Sequence, residues 1–130
     1  MGNVRLLDTM VLIASLDTEH PLHKRALHHL RKASSEDVYV PSAAVLEMDL
    51  ELKSHGFSSE ERREASTSLL GYEAGERILP LSFEVVAEAT ELERVSGYFD
   101  ALIGSTARLH GAIVVSKDTA FTEMGVKIEW

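Results

Sequence analysis

Four carboxylates, each set against an apolar run, restrict this chain more than any other feature of its sequence. They are Asp8 after Leu6-Leu7, Glu47 after Ala44-Val45-Leu46, Asp100 between Tyr98-Phe99 and Ala101-Leu102-Ile103, and Asp118 shortly after Val114-Val115. An acid in such a setting is costly to keep ionised, because desolvation and like-charge repulsion both oppose it. Two carboxylates ~4 Å apart repel by about 4 kcal/mol at an effective dielectric of roughly 20. A fold that gathers four of them needs some protonated, or a cation among them.

The apolar segments also set the architecture. The chain up to Leu7 reads as a strand, and Thr9 to Leu16 as a short helix broken near Asp17-Thr18. Pro21 opens a second helix running to about Ala33, and Ser34-Ser35-Glu36-Asp37 is a turn. Val38-Tyr39-Val40 has the β-branched and aromatic content of a strand. Pro41-Ser42 opens a helix with Ala44, Val45, Met48 and Leu52 near helical spacing, ended by Gly56. Ser58-Ser59-Glu60-Glu61 signals another helix start. Arg77-Ile78-Leu79 is a brief strand, and Ser82 caps a helix to about Val95 that buries Val85, Val86, Ala89 and Leu92. A further helix runs from about Tyr98 to His110 and stops at Gly111. Ala112 to Val115 is a buried strand, and Val126 to Glu129 an edge strand. Strands alternating with helices predict an α/β fold, a three-layer sandwich with a mainly parallel central sheet flanked by helices.

That architecture places the acids. Ligands of open α/β sheets bind at the carboxyl ends of the strands, where strand order reverses. Asp8 and Asp118 lie just past such ends, Asp100 lies in the first turn of a helix, and Glu47 lies early in the helix after the second strand. All four are expected on one rim. Oxygen ligands without sulfur or a histidine partner suit Mg²⁺ or Mn²⁺, and phosphodiester hydrolysis is the reaction such a centre serves. Thr9 and Ser116 stand where their hydroxyls can orient the acids.

The remaining sequence narrows the class. At 130 residues the chain fits one domain, residues 1–130, and its 45% hydrophobic and 26% charged content is that of a globular protein. It has no cysteine, which excludes disulfides, cysteine nucleophiles and iron–sulfur clusters and suits a reducing cytoplasm. No signal peptide is expected, and no run approaches the ~18 apolar residues of a membrane span. The net charge of −8 runs against a nucleic-acid partner, but acids gathered around a cation are neutralised there. Lys24, Arg25, Arg31 and Lys32, and Arg62 and Arg63, are basic clusters that read as solvated helix faces. His20, His23, His28 and His29 lack a third strong ligand for zinc and are expected at the surface, as is Asp49, which a helix rotates roughly 200° from Glu47.

In this order and spacing the residues resemble the PIN-domain ribonucleases, which include the VapC-type toxins of toxin–antitoxin pairs. The resemblance covers nearly the whole chain. It is carried by Leu7-Asp8-Thr9, by Pro41-Ser42 leading into Leu46-Glu47, by Asp100-Ala101-Leu102-Ile103 with Thr106-Ala107, and by Gly111 followed by Val114-Val115-Ser116-Lys117-Asp118 and Phe121. It implies a metal-dependent endoribonuclease with Asp8, Glu47, Asp100 and Asp118 as catalytic metal ligands, Mg²⁺ or Mn²⁺ as cofactor, RNA as substrate, and homodimerisation. For a toxin it also implies a small antitoxin that inserts a segment into the acidic groove and turns arginine toward the carboxylates. One departure concerns a second metal position: many relatives carry a polar or acidic group where this chain has Ala120.

Three other readings compete. A housekeeping RNA-processing nuclease would use the same residues, and a catalytically inactive PIN-like binding module would keep the fold. A phosphatase or phospho-acceptor domain with Asp8 as nucleophile wants a second aspartate at the position of Met10, or adjacent acids earlier in the chain.

Overall fold

Apolar runs without polar alternation belong in strands covered on both faces, and the central strands here are of that kind. The computed structural model describes residues 3–34 and 36–130. Its strands are β1 (Arg5–Leu7), β2 (Val38–Pro41), β3 (Ile78–Leu79), β4 (Ile113–Val115) and β5 (Ile128–Glu129). They form one sheet in the order β3-β2-β1-β4-β5, and every pairing is parallel. Leu6 and Leu7 of β1 sit opposite Val114 and Val115 of β4, and all four are buried. The chain moves outward from β1 to β2 and β3, then returns to the other side of β1 for β4 and β5. Strand order therefore reverses between β1 and β4, the switch point at which α/β sheets bind ligands.

The helices are α1 (Thr9–Leu16), α2 (His23–Arg31), α3 (Ser42–Ser54), α4 (Ser59–Leu70), α5 (Glu73–Glu76), α6 (Phe83–Leu92), α7 (Tyr98–His110) and α8 (Ala120–Glu123), with a 3₁₀ turn at Lys32–Ser34. Right-handed crossovers put α1 to α5 on one face of the sheet and α6 to α8 on the other. The core runs through both layers and includes Leu12, Leu30, Met48, Leu102, Ile103, Phe121 and Met124. Local signals account for several boundaries. Ser58 and Glu61 close a reciprocal capping box at the start of α4. Ser82 Oγ accepts from the Val85 amide at the start of α6. Gly111 ends α7 in the left-handed region at φ 59°, where a side chain would be strained.

The α/β sandwich stands as expected, with a sheet that is parallel throughout. Some details differ from the sequence reading. Helix α2 begins at His23, since Pro21 and Leu22 belong to the preceding turn, where the Leu22 amide donates to His20 Nδ1. Helix α6 stops at Leu92, three residues before the expected end, and Val95 is exposed. Val86 is 37% exposed and Val45 40%, because each lies one residue past a buried position and the helix turns it outward. The short helices α5 and α8 were not foreseen; four residues are too few to show a period. Strand β5 is confined to Ile128–Glu129. Of the turn expected at residues 34–37, Ser35 lies outside the described residues.

Candidate metal centre

Asp8 is the residue at which β1 becomes α1. Its amide donates to the Val115 carbonyl at 3.2 Å, which ties it to the end of β4. Its extended backbone then caps α1, with Oδ1 accepting from the Thr9 amide at 2.8 Å. Oδ2 accepts from the Ser116 hydroxyl at 2.7 Å. Ser116 is buried and its Oγ also accepts from the Asp118 amide at 3.0 Å, so one hydroxyl links the first and last acids. Thr9 makes the next link, since its hydroxyl donates to Glu47 Oε1 from α3. Asp100 enters from the first turn of α7, where the helix dipole favours negative charge.

Asp8, Glu47 and Asp100 each offer a carboxylate oxygen within 4.8 Å of the others. Asp118 stands outside this trio. It is exposed, and its Oδ1 accepts from the Ala120 amide at 2.9 Å as the chain enters α8. Its charge nevertheless reaches Asp100 and adds to the effect of burial there. The expected convergence on one rim is thus seen as a close trio with the fourth acid at its edge. Thr9 and Ser116 contact the acids as the sequence suggested.

The trio behaves as an uncompensated acidic cluster. Burial raises the Asp8 carboxyl above its ordinary range and the charges of Asp118 and Glu51 add to it, against the opposing bonds from Ser116 and Thr9. Glu47 is raised by burial, opposed by the Thr9 hydrogen bond and reinforced by Asp8 and Glu51. Asp100 is pushed up to about 7, by burial first and then by Asp8, Asp118 and Glu47. Three converging oxygen donors without nitrogen or sulfur match the preference of a hard divalent cation. Such an ion would relieve the repulsion that lifts all three.

Glu51 was not foreseen as a neighbour of this centre. It lies one helical turn beyond Glu47 on α3, and its charge reaches both Asp8 and Glu47. The i, i+4 spacing was the available signal. Asp49 keeps away from the acids, as expected. It pairs in bidentate fashion with Arg62 of α4, at 2.9 and 2.7 Å, so Arg62 is partnered and not simply a solvated cation. The histidine expectation needs correcting at His29, which is 2% exposed. It falls on the face of α2 that buries Ala26 and Leu30, its ring lies 5.0 Å from that of Trp130, and desolvation, aided by Lys32 and Arg25, lowers it to about 4. Beside α3, an open apolar groove of about 740 Å³ is lined by Leu12, Leu30, Val45, Leu46, Leu69 and Ile78, with Asp49 and Arg62 at its border.

The family model of the PIN domain matches residues 5–127. Solved structures share the fold at low identity. FitAcB from Neisseria gonorrhoeae is 24% identical, with 96% of each chain covered and a TM-score of 0.72. VapBC2 from Rickettsia felis, bound to a DNA fragment from its promoter, is 17% identical, with 98% of each chain covered and a TM-score of 0.73. VapC20 from Mycobacterium tuberculosis, a toxin that cleaves the sarcin–ricin loop, is 18% identical, with 94% of this chain and 95% of that one covered and a TM-score of 0.71. No curated protein sequence matches significantly. With its acids gathered at the β1/β4 switch point and the family model spanning almost its whole length, the chain belongs to the PIN domain family.

Proposed function

We propose that this protein is a metal-dependent endoribonuclease, the toxin of a toxin–antitoxin pair, acting in the cytoplasm as a single PIN-like domain. One observation carries the reading: the carboxylate oxygens of Asp8, Glu47 and Asp100 converge within 4.8 Å at the switch point of a PIN fold. In this reading those three residues hold Mg²⁺ or Mn²⁺, and Asp118 completes the catalytic set from the rim. The ion, when bound, polarises phosphoryl oxygens and activates water for phosphodiester hydrolysis.

The protein's own groups divide the remaining work. Ser116 and Thr9 occupy defined oxygens of Asp8 and Glu47 and fix where their other lone pairs point. Asp100, pushed up to about 7 by burial and its acidic neighbours, keeps a proton near neutral pH that binding of a cation would displace. Similarity in fold to VapC20, FitAcB and VapBC2 supports RNA as the substrate and an antitoxin as the partner. The antitoxin would find two features to use: the acids, which attract arginine, and the apolar groove beside α3. Homodimerisation, common in the family, completes the proposal.

Calorimetry with Mn²⁺, run beside RNA cleavage with and without the metal, tests the reading. Wild type should bind and cleave, while Asp8→Asn and Asp100→Asn should lose both. Binding and cleavage at wild-type levels in Asp100→Asn would sink the site. Metal binding without cleavage of any RNA would leave a PIN-like binding module.

A further inference from the structure

The segment from His20 to Ser34 holds Lys24, Arg25, Arg31 and Lys32 and not one acid, in a chain whose net charge is −8. Most of it is α2. That helix turns Ala26, His29 and Leu30 into the core and leaves Lys24, Arg25, His28 and Arg31 exposed. Lys24, His28 and Arg31 stand at i, i+4 and i+7, a stripe about 10 Å long at 1.5 Å per residue. Arg25 lies along one edge of it, and its guanidinium also donates to the Trp130 carbonyl at 2.8 Å. Lys24 forms no ion pair among the described residues. Elsewhere acids outnumber bases on the outer helices, with Glu60, Glu61 and Glu64 beside Arg62 and Arg63 on α4, and Glu84, Glu88 and Glu91 without a base on α6. Helix α2 thus carries bases with no acid among them, unlike α4 and α6.

We propose that the outer face of α2 holds the phosphate backbone of the RNA substrate. This rests on the nuclease reading above and adds the surface on which the substrate lies. Acids alone cannot retain a polyanion; affinity for one comes from neutralising its phosphates with Lys and Arg. Helix α2 is placed to do so within reach of the centre. It packs on α1, where His23 Nδ1 donates to the Ala14 carbonyl at 2.9 Å, and Asp8 caps α1 only six residues before Ala14, about 9 Å along the helix. A membrane surface fits this face poorly. An interfacial helix needs a large apolar stripe to insert, and α2 has spent its own on the core, with none of its residues among the large apolar side chains left exposed.

The test is a double variant, Lys24→Gln with Arg31→Gln, set against a control that loses the same charge in loops outside α2, Arg94→Gln with Lys127→Gln. KM for single-stranded RNA is measured across a salt series, with kcat, Mn²⁺ affinity and melting temperature alongside. The α2 variant should raise KM by about tenfold at low salt and reduce the slope of log affinity against log salt by roughly 1.4, two contacts at ~0.7 each. Its kcat and metal affinity should stay at wild-type values, and the control should change KM by less than twofold. An unchanged KM and slope in a folded α2 variant overturns the proposal, and so does an equal loss in the control, which would make the effect one of net charge. If the wild type cleaves no RNA and binds none, the nuclease reading falls and this proposal falls with it. Wild type captured by anionic phosphatidylglycerol vesicles, with RNA affinity unaltered in the α2 variant, would assign the face to lipid.

Discussion

At the residue scale, the centre is defined by what each acid has for company. Asp100 has burial and three other acids, which push it up to about 7. With its folded pKa above the unfolded value of 3.8, the folded state keeps a proton that the unfolded chain has already lost. The resulting stability is present in full below about pH 4 and is lost as pH rises through about 7. In chelator, the melting temperature should therefore fall between pH 4 and 7 and then level off. Asp8 and Glu47, raised in the same direction, add to the fall. Asp100→Asn should flatten the profile and melt higher than wild type at pH 8; a wild-type profile flat across that window would contradict the clustering. Ser116→Ala removes the donor to Asp8 Oδ2 and the acceptor of the Asp118 amide, both at a buried hydroxyl. It should cost ~1–3 kcal/mol in urea unfolding and weaken Mn²⁺ binding, with Ser116→Thr restoring most of both. These acids were legible in the sequence because an ionisable group beside buried strands is costly. Glu51 was signalled only by its i, i+4 spacing from Glu47, and the burial of His29 was not legible, since it depends on what packs against α2.

At the element scale, two helix junctions show how closely the layers approach. A Cβ on Gly75 would stand 2.1 Å from the Leu69 carbonyl oxygen at the α4–α5 join, a backbone atom that cannot step aside. A Cβ on Gly104 of α7 would stand 2.5 Å from Met124 Sδ, which belongs to a flexible side chain. Overpacking costs ~1–3 kcal/mol, so both Gly→Ala variants should lose stability, Gly75→Ala the more. Equal losses in a denaturant series would show that the α4–α5 backbone gives way as easily as Met124. Helix α4 buries little beyond Leu69 and leans on its capping box, so Ser58→Ala should cost about 1 kcal/mol. Caps of this kind are local and were readable from Ser58 and Glu61 alone. The ends of α2 and α6 were misjudged because Pro21 and Val95 carry no strong local instruction, and packing decided where each helix stopped.

At the scale of the whole molecule, the fold and the centre are coupled, because β1, α1, α3 and α7 each deliver one acid or its support to the same rim. A cation bound there stabilises the native state only. At a hundredfold excess over Kd the gain is about 2.7 kcal/mol, roughly 8–10 °C for a domain of this size. Mn²⁺ should thus raise the melting temperature of wild type by that order and leave Asp100→Asn almost unmoved; equal shifts in both would place the ion elsewhere. By itself, the sequence determined the alternation of strand and helix and the mainly parallel sheet, and it set the candidate acids beside the apolar runs, because burial, periodicity and capping act within a few residues of each other. Only the tertiary structure decided that Asp8, Glu47 and Asp100 form the close trio while Asp118 stays at its edge. Their mutual distances depend on the strand order, on Ser116 joining the ends of β1 and β4, and on Thr9 reaching across to α3. Such contacts join residues far apart in the chain, and their geometry exists only once the sheet has been assembled.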